Sequence, residues 1–470
     1  MGGKSSKEDD PALSKRKMSF TSAAMAFGAW PPATKMCEPT INATLFFDAC
    51  PSVEGLVPLV ETCRSYERCN GVPEGTEGKD DWRIRRVDFQ PRDIIRTVKV
   101  DAAKDIVPAI EGLLHDSCRD RPGLPWWEIV RVEAPEGQQS AVVLRIDHII
   151  GDGISLVNLM EQILTDTNNQ KLDAIIPASM SNKFKRKLSF LQKIKMGFSA
   201  VYYYFFALTL GLGSGDAKTK FRRAISADMQ YSWNRKLVIF ETMPLAFIKE
   251  LKKQGGVSLN DVMFSSLGGA IRAYNLAEGC EITEKKKTVM CRALMPVAFP
   301  RPNEDKSDKA AVLRNKWVFL SSDFGVGKAD PMERIQYVNK SMTALKNSPY
   351  AFMQLKVQES AKSLPVSLSR KTLMDIMSRH SIIFSNVPGP ETPVMFGGQK
   401  VTGTQMFFNN FLPQVGILSY CGNVHMNINI DTEAIPGSEM LPVYFARELV
   451  ALAENLNVAV PDAIRAKANE

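Results

Sequence analysis

Val142-Val143-Leu144-Arg145-Ile146-Asp147-His148-Ile149-Ile150-Gly151-Asp152-Gly153 is the stretch from which the fold is read. Val142, Leu144 and Ile146 alternate with Val143, Arg145 and Asp147, the period of two that marks a half-buried strand. His148 falls on the aliphatic face at the strand's exit, and Gly151 and Gly153 let the backbone turn sharply. From Leu156 the period lengthens: Leu156, Val157, Met160, Ile163 and Leu164 share one helical face. A histidine held between a strand end and a helix start, with Asp152 four residues on, is a good place for a general base. The blander reading is a core or surface histidine beside a turn aspartate.

Outward from that stretch, 470 residues are enough for two or three domains' worth of core. The 44% hydrophobic and 23% charged fractions are ordinary for a globular chain. A net charge of +8 is too mild and dispersed for a nucleic-acid binder, but it suits an anionic cofactor or an anionic membrane face. The eight cysteines contain no Cys-x-x-Cys and read as reduced intracellular thiols. Four histidines make a His-rich metal site improbable, and no metal is expected. The opening Met-Gly-Gly-Lys-Ser-Ser matches the myristoylation pattern with Gly2 as acceptor and Ser6 at the hydroxyl position. Residues 1–39 otherwise read as a disordered tail.

The pattern from 40 to about 180 is of mixed strands and amphipathic helices: strands at Ile41–Phe47, Trp82–Phe89 and Leu124–Val130, helices at Val53–Tyr66 and Val107–Cys118. Leu124–Val130 should pair with Val142–Asp147 across the turn Glu133–Gly137. This makes an α/β or α+β N-terminal lobe. From 236 to 470 the pattern resumes as a C-terminal lobe. A helix over Pro244–Gln254 closes on Gly255-Gly256, and Ser258 with Asp261 forms the capping box of the next. Asp330 caps a third helix. Ser381–Val387 is a strand, and Gly416–Tyr420 with Val424–Asp431 is a hairpin around Cys421-Gly422-Asn423. His425 lies on that hairpin's polar face with Asn427, Asn429 and Asp431 and is expected to face solvent.

Residues 181–235 read as a linker of different character. Lys183, Lys185, Arg186, Lys187, Lys193 and Lys195 interleave with apolar residues, and Phe198–Leu212 then runs uncharged through Tyr202-Tyr203-Tyr204-Phe205-Phe206. Fifteen residues make a helix of about 22 Å, against a hydrocarbon thickness of roughly 30 Å. The far flank is also basic, with Lys218, Lys220, Arg222 and Arg223. Positive charge on both sides points to a segment, 183–223, lying on a membrane surface rather than crossing it.

Asp147-His148-Ile149-Ile150-Gly151-Asp152-Gly153 resembles the H-H-x-x-x-D-G motif of the wax ester synthase/diacylglycerol acyltransferase family, chloramphenicol-acetyltransferase-like CoA-dependent acyltransferases. Leu124-Pro125-Trp126-Trp127 is similar to the family's Pro-Leu-Trp element, and Asn260-Asp261 to its Asn-Asp helix start. Arg292-Ala293-Leu294-Met295-Pro296-Val297 resembles the strand after that helix, and Ser385-Asn386-Val387-Pro388-Gly389-Pro390 a C-terminal Ser-Asn-x-Pro-Gly-Pro segment. In order, these span residues about 40 to 455.

The resemblance implies a two-lobed acyltransferase fold with an interdomain channel and His148 at its midpoint. Acyl-CoA is the implied co-substrate, and a fatty alcohol or diacylglycerol the acceptor. It implies a site on the cytosolic face of an intracellular membrane, the endoplasmic reticulum or a lipid droplet. An acyl thioester is already activated, so transfer needs a base for the hydroxyl proton and a holder for the oxyanion, but no protein nucleophile. No Gly-x-Ser-x-Gly elbow is present, which speaks against a serine hydrolase. His148 would be the base, Gly153 would let the helix start close to the strand, and Asp152 would fix the loop through a salt bridge, with Arg292 its implied partner. Trp127, Asn260, Asp261 and Asn386 are the channel candidates, although Asn260 and Asp261 are also explained as helix-start residues. Asp147 departs from the family, standing where its first histidine is; Arg145, on the same face, is its expected partner. Two rivals remain open: an acyltransferase for a small soluble alcohol, and a lipid-binding scaffold that lost turnover. The oligomeric state is not legible.

Overall fold

The computed structural model describes residues 10–26, 38–76, 79, 81–172, 174–175, 197–205, 214–222, 235–299, 308–309, 312–360 and 366–470. The first half supplies α1 (Phe20–Ala26), β1 (Thr40–Phe47), α2 (Val53–Arg64), β2 (Gly71–Glu74), β3 (Arg83–Arg86), β4 (Ile95–Lys99), α3 (Ile106–Gly112), β5 (Trp127–Glu133), β6 (Ser140–Asp147) and α4 (Gly153–Ile163). The second supplies β7 (Arg235–Ile239), β8 (Met243–Pro244), β9 (Arg292–Ala298), β10 (Trp317–Asp323), β11 (Ile382–Val387), β12 (Met395–Phe396), β13 (Gln399–Phe408), β14 (Gln414–Tyr420) and β15 (Asn423–Asp431). Its principal helices are Leu245–Gly255, Leu259–Ala277, Pro331–Asn347 and Leu441–Asn455.

Two mixed sheets form, one per lobe. The first runs β12-β13-β1-β6-β5-β4 and the second β10-β9-β11-β14-β15-β7, with β8 on β15. The expected β5–β6 pairing is present, Ile129 lying opposite Leu144. On its other side β6 pairs with β1, Ile146 opposite Ile41. Every residue of β6 is buried, so the half-buried reading of this strand is corrected: its polar face is covered as well. Arg145 survives there because each part of its guanidinium has a partner. It pairs with Glu128, and donates to Asn42 Oδ1 and to the carbonyls of Leu113 (2.7 Å) and Asp116 (2.6 Å).

The expected lobe boundary is crossed by β13. This strand pairs antiparallel with β1, Phe408 opposite Ile41 and Phe407 opposite Asn42, so residues 395–408 complete the first sheet although they follow most of the second. The polar side of β15 is covered for most of its length, and His425 on it is half-buried rather than solvent-facing. Asn427 and Asn429 do not meet solvent but are buried, donating to Gln405 Oε1 (2.7 Å) and the Phe408 carbonyl (3.0 Å). Amides rather than aliphatic side chains stand there because they bind β13's polar groups where the two sheets meet.

Local chemistry sets the element ends. Gly256, at φ +64°, closes the Leu245–Gly255 helix in the left-handed conformation. Ser258 and Asp261 exchange the two hydrogen bonds of a capping box at the next helix. Cys421 and Gly422 both have positive φ (47° and 77°), as a two-residue β14–β15 turn requires.

Two segments expected to be loose are built into the lobes. Residues 10–26, assigned to the tail 1–39, run beside β3 and bury Met18, Ala23 and Met25. Residues 214–222, assigned to the linker 181–235, dock on the second lobe: Phe221 is fully buried, its N–H donates to Asn275 Oδ1 (2.8 Å), and its ring meets Tyr274 edge-on. Arg222 is not a membrane-facing cation, since it donates to the carbonyls of Asp216 and Ser378. Gly2 and residues 181–196, 206–213 and 223–234 lie outside the described residues.

Residues 197–205 form a helix whose Tyr203 ring packs on Tyr350, 5.6 Å between centroids. Its other side carries Phe198, Val201, Tyr202 and Phe205 at i, i+3, i+4 and i+7, with 78, 60, 62 and 62% of their surface exposed. Among the described residues no helix is long and apolar enough to cross a membrane.

Docking of the 214–222 segment sets a stability expectation. Phe221→Ala removes a fully buried ring from the second lobe's core and should cost about 3–5 kcal/mol, read as a lowered urea midpoint. A midpoint like wild type would mean that the segment is not held there.

Candidate active site

Between the lobes lies a cavity of about 440 Å³. One wall is the first sheet with α4, contributing Ile41, Ala43, Leu45, Ile146, Leu156 and Met160; the other is β9–β11 with the Val387-Pro388-Gly389-Pro390 turn. Of the chain's four histidines, His148 alone lines it. His380 is fully buried with both ring nitrogens engaged, by the Ile376 carbonyl and by Ser321 Oγ, and burial pushes it down to about 4.

His148 Nδ1 lies 2.8 Å from Asn315 Oδ1. The orientation of that amide follows from its neighbours. Its nitrogen faces acceptors, the His148 carbonyl (2.6 Å) and Ser22 Oγ (3.0 Å), while its oxygen receives the Trp317 indole N–H (3.3 Å). With the amide oxygen toward the ring, Nδ1 must carry the proton and Nε2 keeps its lone pair. The ring is held between Trp317 (centroids 5.6 Å apart) and the edge of Phe408 (5.9 Å, 82°). Burial pulls its pKa below the ordinary 6.5, partly offset by Asp152 and the Asn315 hydrogen bond. It is therefore neutral, and basic at Nε2, at neutral pH.

Asp152 fixes the loop as expected, but not through Arg292. It caps α4, its Oδ1 accepting from the Ser155 N–H and hydroxyl (both 3.0 Å) and its Oδ2 from the Lys316 N–H (2.8 Å). Because Lys316 follows Asn315, the carboxylate ties the two sides of the histidine's environment together. Arg292 opens β9 in the second lobe, and its Nε and backbone N–H both bind Asp216 (2.6 and 2.7 Å), bolting residues 214–216 to the sheet. Asp147 is buried and ion-paired, but with Arg119 (2.6 Å) rather than Arg145, whose guanidinium belongs to Glu128. It does not line the cavity, so its carboxylate stands behind the loop.

The glycines exchange roles. A Cβ at Gly151 would meet Ser155 Cβ at 2.8 Å, so glycine is required there for α4 to close on the loop. At Gly153 it would meet only Val387 Cγ2, at an ordinary 3.8 Å, and that residue instead lines the cavity. Neither has positive φ.

Of the four channel candidates, Asn260 and Asn386 both line the cavity and are joined, Asn386 Nδ2 donating to Asn260 Oδ1 (2.6 Å) at the exposed rim. Asp261 is buried away from it, accepting the Ser258 N–H (2.8 Å). Trp127 is also core: 1% exposed, it donates its indole N–H to the Cys69 carbonyl (2.8 Å). Trp126, its neighbour, lies under the guanidinium of Arg119, 4.5 Å from the ring centroid. Asn315, Trp317 and Phe408 were not foreseen as site residues. Leu313-Arg314-Asn315-Lys316-Trp317 has no spacing that distinguishes it, and only its contacts reveal its role. Among the described residues no three His, Cys, Asp or Glu side chains converge as metal ligands.

The solved structure of the wax ester synthase/diacylglycerol acyltransferase from Marinobacter aquaeolei VT8 matches this fold at a TM-score of 0.59 and 14% identity, over 94% of this chain and all of that one. The TRI3 trichothecene 15-O-acetyltransferase from Fusarium sporotrichioides matches at 0.57 and 10% identity, over 93% and 95%. In sequence, the chain is 26% identical over 318 residues to a putative diacylglycerol O-acyltransferase of Mycobacterium tuberculosis, covering 62% of this chain and 64% of that protein. It is 20% identical over 358 residues to the O-acyltransferase WSD of Acinetobacter baylyi, covering 71% and 74%. The wax ester synthase/diacylglycerol acyltransferase catalytic-domain model matches residues 81–263, and the WS/DGAT C-terminal-domain model residues 314–453. The two matches take in parts of both walls of the cavity, with His148 and Asn315, and the chain belongs to the wax ester synthase/diacylglycerol acyltransferase family.

Proposed function

We propose that this protein transfers a long-chain fatty acyl group from acyl-CoA to the hydroxyl of a fatty alcohol or diacylglycerol, with His148 as general base and no covalent acyl-enzyme. The observation that carries this reading is the 2.8 Å contact between His148 Nδ1 and Asn315 Oδ1, which calls for the proton at Nδ1 and leaves Nε2 basic, in a cavity lined by both lobes. Nε2 takes the acceptor's hydroxyl proton as its oxygen attacks the thioester carbonyl carbon. The tetrahedral oxyanion collapses, the C–S bond breaks, and the CoA thiolate leaves with the proton returned from Nε2. Aliphatic side chains from β1, β6 and α4 suit an acyl chain, and the Asn260–Asn386 pair at the rim offers polar contacts to a carbonyl or headgroup. The similarity to a putative diacylglycerol O-acyltransferase of Mycobacterium tuberculosis favours diacylglycerol among these acceptors.

Access to such acceptors comes from a membrane surface, on the cytosolic face of the endoplasmic reticulum or a lipid droplet. The exposed stripe Phe198, Val201, Tyr202 and Phe205 supports attachment in the interface plane, with the lysines of 183–195 beside it in sequence. The scaffold rival draws its support from Asp147. That carboxylate is already held by Arg119 and by the Ile149 N–H (3.0 Å), behind the cavity, so its presence removes no group from the proposed chemistry.

Purified protein given a long-chain acyl-CoA with hexadecanol, diacylglycerol or a small soluble alcohol should form ester with the first two. His148→Ala should lower turnover by about 10²–10⁴-fold; product at the wild-type rate would exclude His148 as base, and no transfer to any acceptor would favour the scaffold. Because burial holds the imidazole below 6.5, kcat/KM should rise with pH through an inflection under that value and then stay flat past neutrality. An inflection above 6.5 would contradict the neutral ring. Phe198→Ser, Tyr202→Ser and Phe205→Ser together should reduce sedimentation with phosphatidylserine-containing vesicles by at least about tenfold, each buried aromatic contributing roughly 1.5–3 kcal/mol. Unchanged sedimentation would remove this helix from the docking surface.

A further inference from the structure

We infer that the segment of residues 10–26 is a working part of the active site, with Ser22 the positioning residue that holds the Asn315 amide in the orientation His148 needs. This rests on the reading of His148 as base. The segment precedes the family-model match, which begins at residue 81. It runs beside β3: Ser14 N–H donates to the Ile84 carbonyl (2.8 Å), Met18 N–H to that of Trp82 (2.8 Å), and Arg86 N–H to that of Ala12 (2.9 Å). These bonds place α1 against the loop that carries the base.

Helix α1 grips that loop on both sides of His148. On one side, the fully buried Ser22 Oγ accepts from Asn315 Nδ2 (3.0 Å) and from Arg68 Nη1 (2.9 Å), and the same Nη1 donates to the Ile149 carbonyl (2.6 Å). On the other, Arg119 joins the two, donating to the Met25 carbonyl (3.2 Å) and pairing with Asp147 (2.6 Å). Asp147, the departure from the family's motif, is thus one of the groups that anchor α1.

The chemistry of an amide makes Ser22 matter. Turning the Asn315 side chain by half a turn would present its NH₂ to Nδ1, which would then need its lone pair, and the proton would move to Nε2. A ring protonated at Nε2 cannot accept the acceptor's hydroxyl proton. The His148 carbonyl, which only accepts, and the Trp317 indole N–H, which only donates, oppose that turn outright, and Ser22 Oγ, itself held by Arg68, adds an acceptor where Nδ2 sits and fixes the amide's position. Removal of the hydroxyl should therefore alter catalysis through the tautomer and leave substrate binding alone.

The test is a double-mutant cycle in the full-length protein, following kcat, KM and the pH profile. Ser22→Ala should lower kcat about tenfold, part of the roughly 10²–10⁴-fold that a positioned base contributes, with KM for acyl-CoA and acceptor unchanged. Ser22→Ala/Asn315→Ala should be little slower than Asn315→Ala, because the effect of Ser22 on the imidazole runs through that amide. Ser22→Thr, which keeps the acceptor oxygen, should retain turnover near wild type and serves in place of Ser22→Ala if that variant does not fold. Met18→Ala loosens the same segment without touching Ser22, and should leave kcat above that of Ser22→Ala at an equal loss of thermal stability. Losses that multiply in the double variant, a Ser22→Ala enzyme with wild-type kcat, or a Ser22→Thr enzyme as slow as Asn315→Ala would each overturn the inference. His148→Ala separates the two readings. If it is inactive while Ser22→Ala is unaffected, only the role of Ser22 fails; if it turns over normally, the base assignment itself fails.

Discussion

The hydrogen bond between His148 and Asn315 joins the lobes at the point where chemistry is proposed. His148 directly follows β6 of the first sheet, and Asn315 stands just before β10 of the second. Neither residue defines a base alone. An isolated imidazole exchanges its proton between two nitrogens, and an isolated amide can present either its oxygen or its nitrogen. Together, with Trp317, Ser22 and the His148 carbonyl constraining the amide, they leave one arrangement in which every donor meets an acceptor. The basic nitrogen is thus a property of the closed two-lobed structure.

The surrounding architecture keeps that contact in register. Asp152 binds the Lys316 N–H, and Ser155 Oγ accepts the Arg314 N–H (3.2 Å), so α4's first turn grips the segment bearing Asn315. On the far side, β13 lies in the first sheet while its amide contacts reach β15 of the second. Sliding one lobe against the other would break both sets at once. Burying a polar contact costs free energy unless its partners are supplied, so interfaces of this kind have few alternative registers.

Arginines hold much of this frame. Arg145 with Glu128, Arg119 with Asp147, Arg292 with Asp216 and Arg334 with Glu448 are each partly or fully buried, and each guanidinium also donates to backbone carbonyls. A carboxylate alone leaves several of the five donors unused; carbonyls of neighbouring loops take the remainder. This is why loops without regular structure, such as 116–119 and 214–216, hold defined positions. It is also why a modest net charge says little about where the cations point: Arg222 looks surface-basic in sequence and is bound to carbonyls in the fold.

Much of the fold was legible from local patterns. Residues 142–153 announced a strand, a tight turn and a helix because their apolar period changes from two to 3.6. Ser258 with Asp261, Gly256, Asp330 and Cys421-Gly422 mark element ends through backbone chemistry confined to a few residues, and each does so here. The ordered motifs identified the family. What only the tertiary structure decided is which partner each polar group found: Arg119 for Asp147, Asp216 for Arg292, Asn315 for His148, Ser22 for Asn315. It also decided that β13 belongs to the first sheet and that residues 10–26 are not a tail. Periodicity and capping are properties of neighbours along the chain, so a sequence displays them. Pairings across tens to hundreds of residues depend on which surfaces the lobes bring together, and the same asparagine or arginine reads identically whether it faces water or a buried ring.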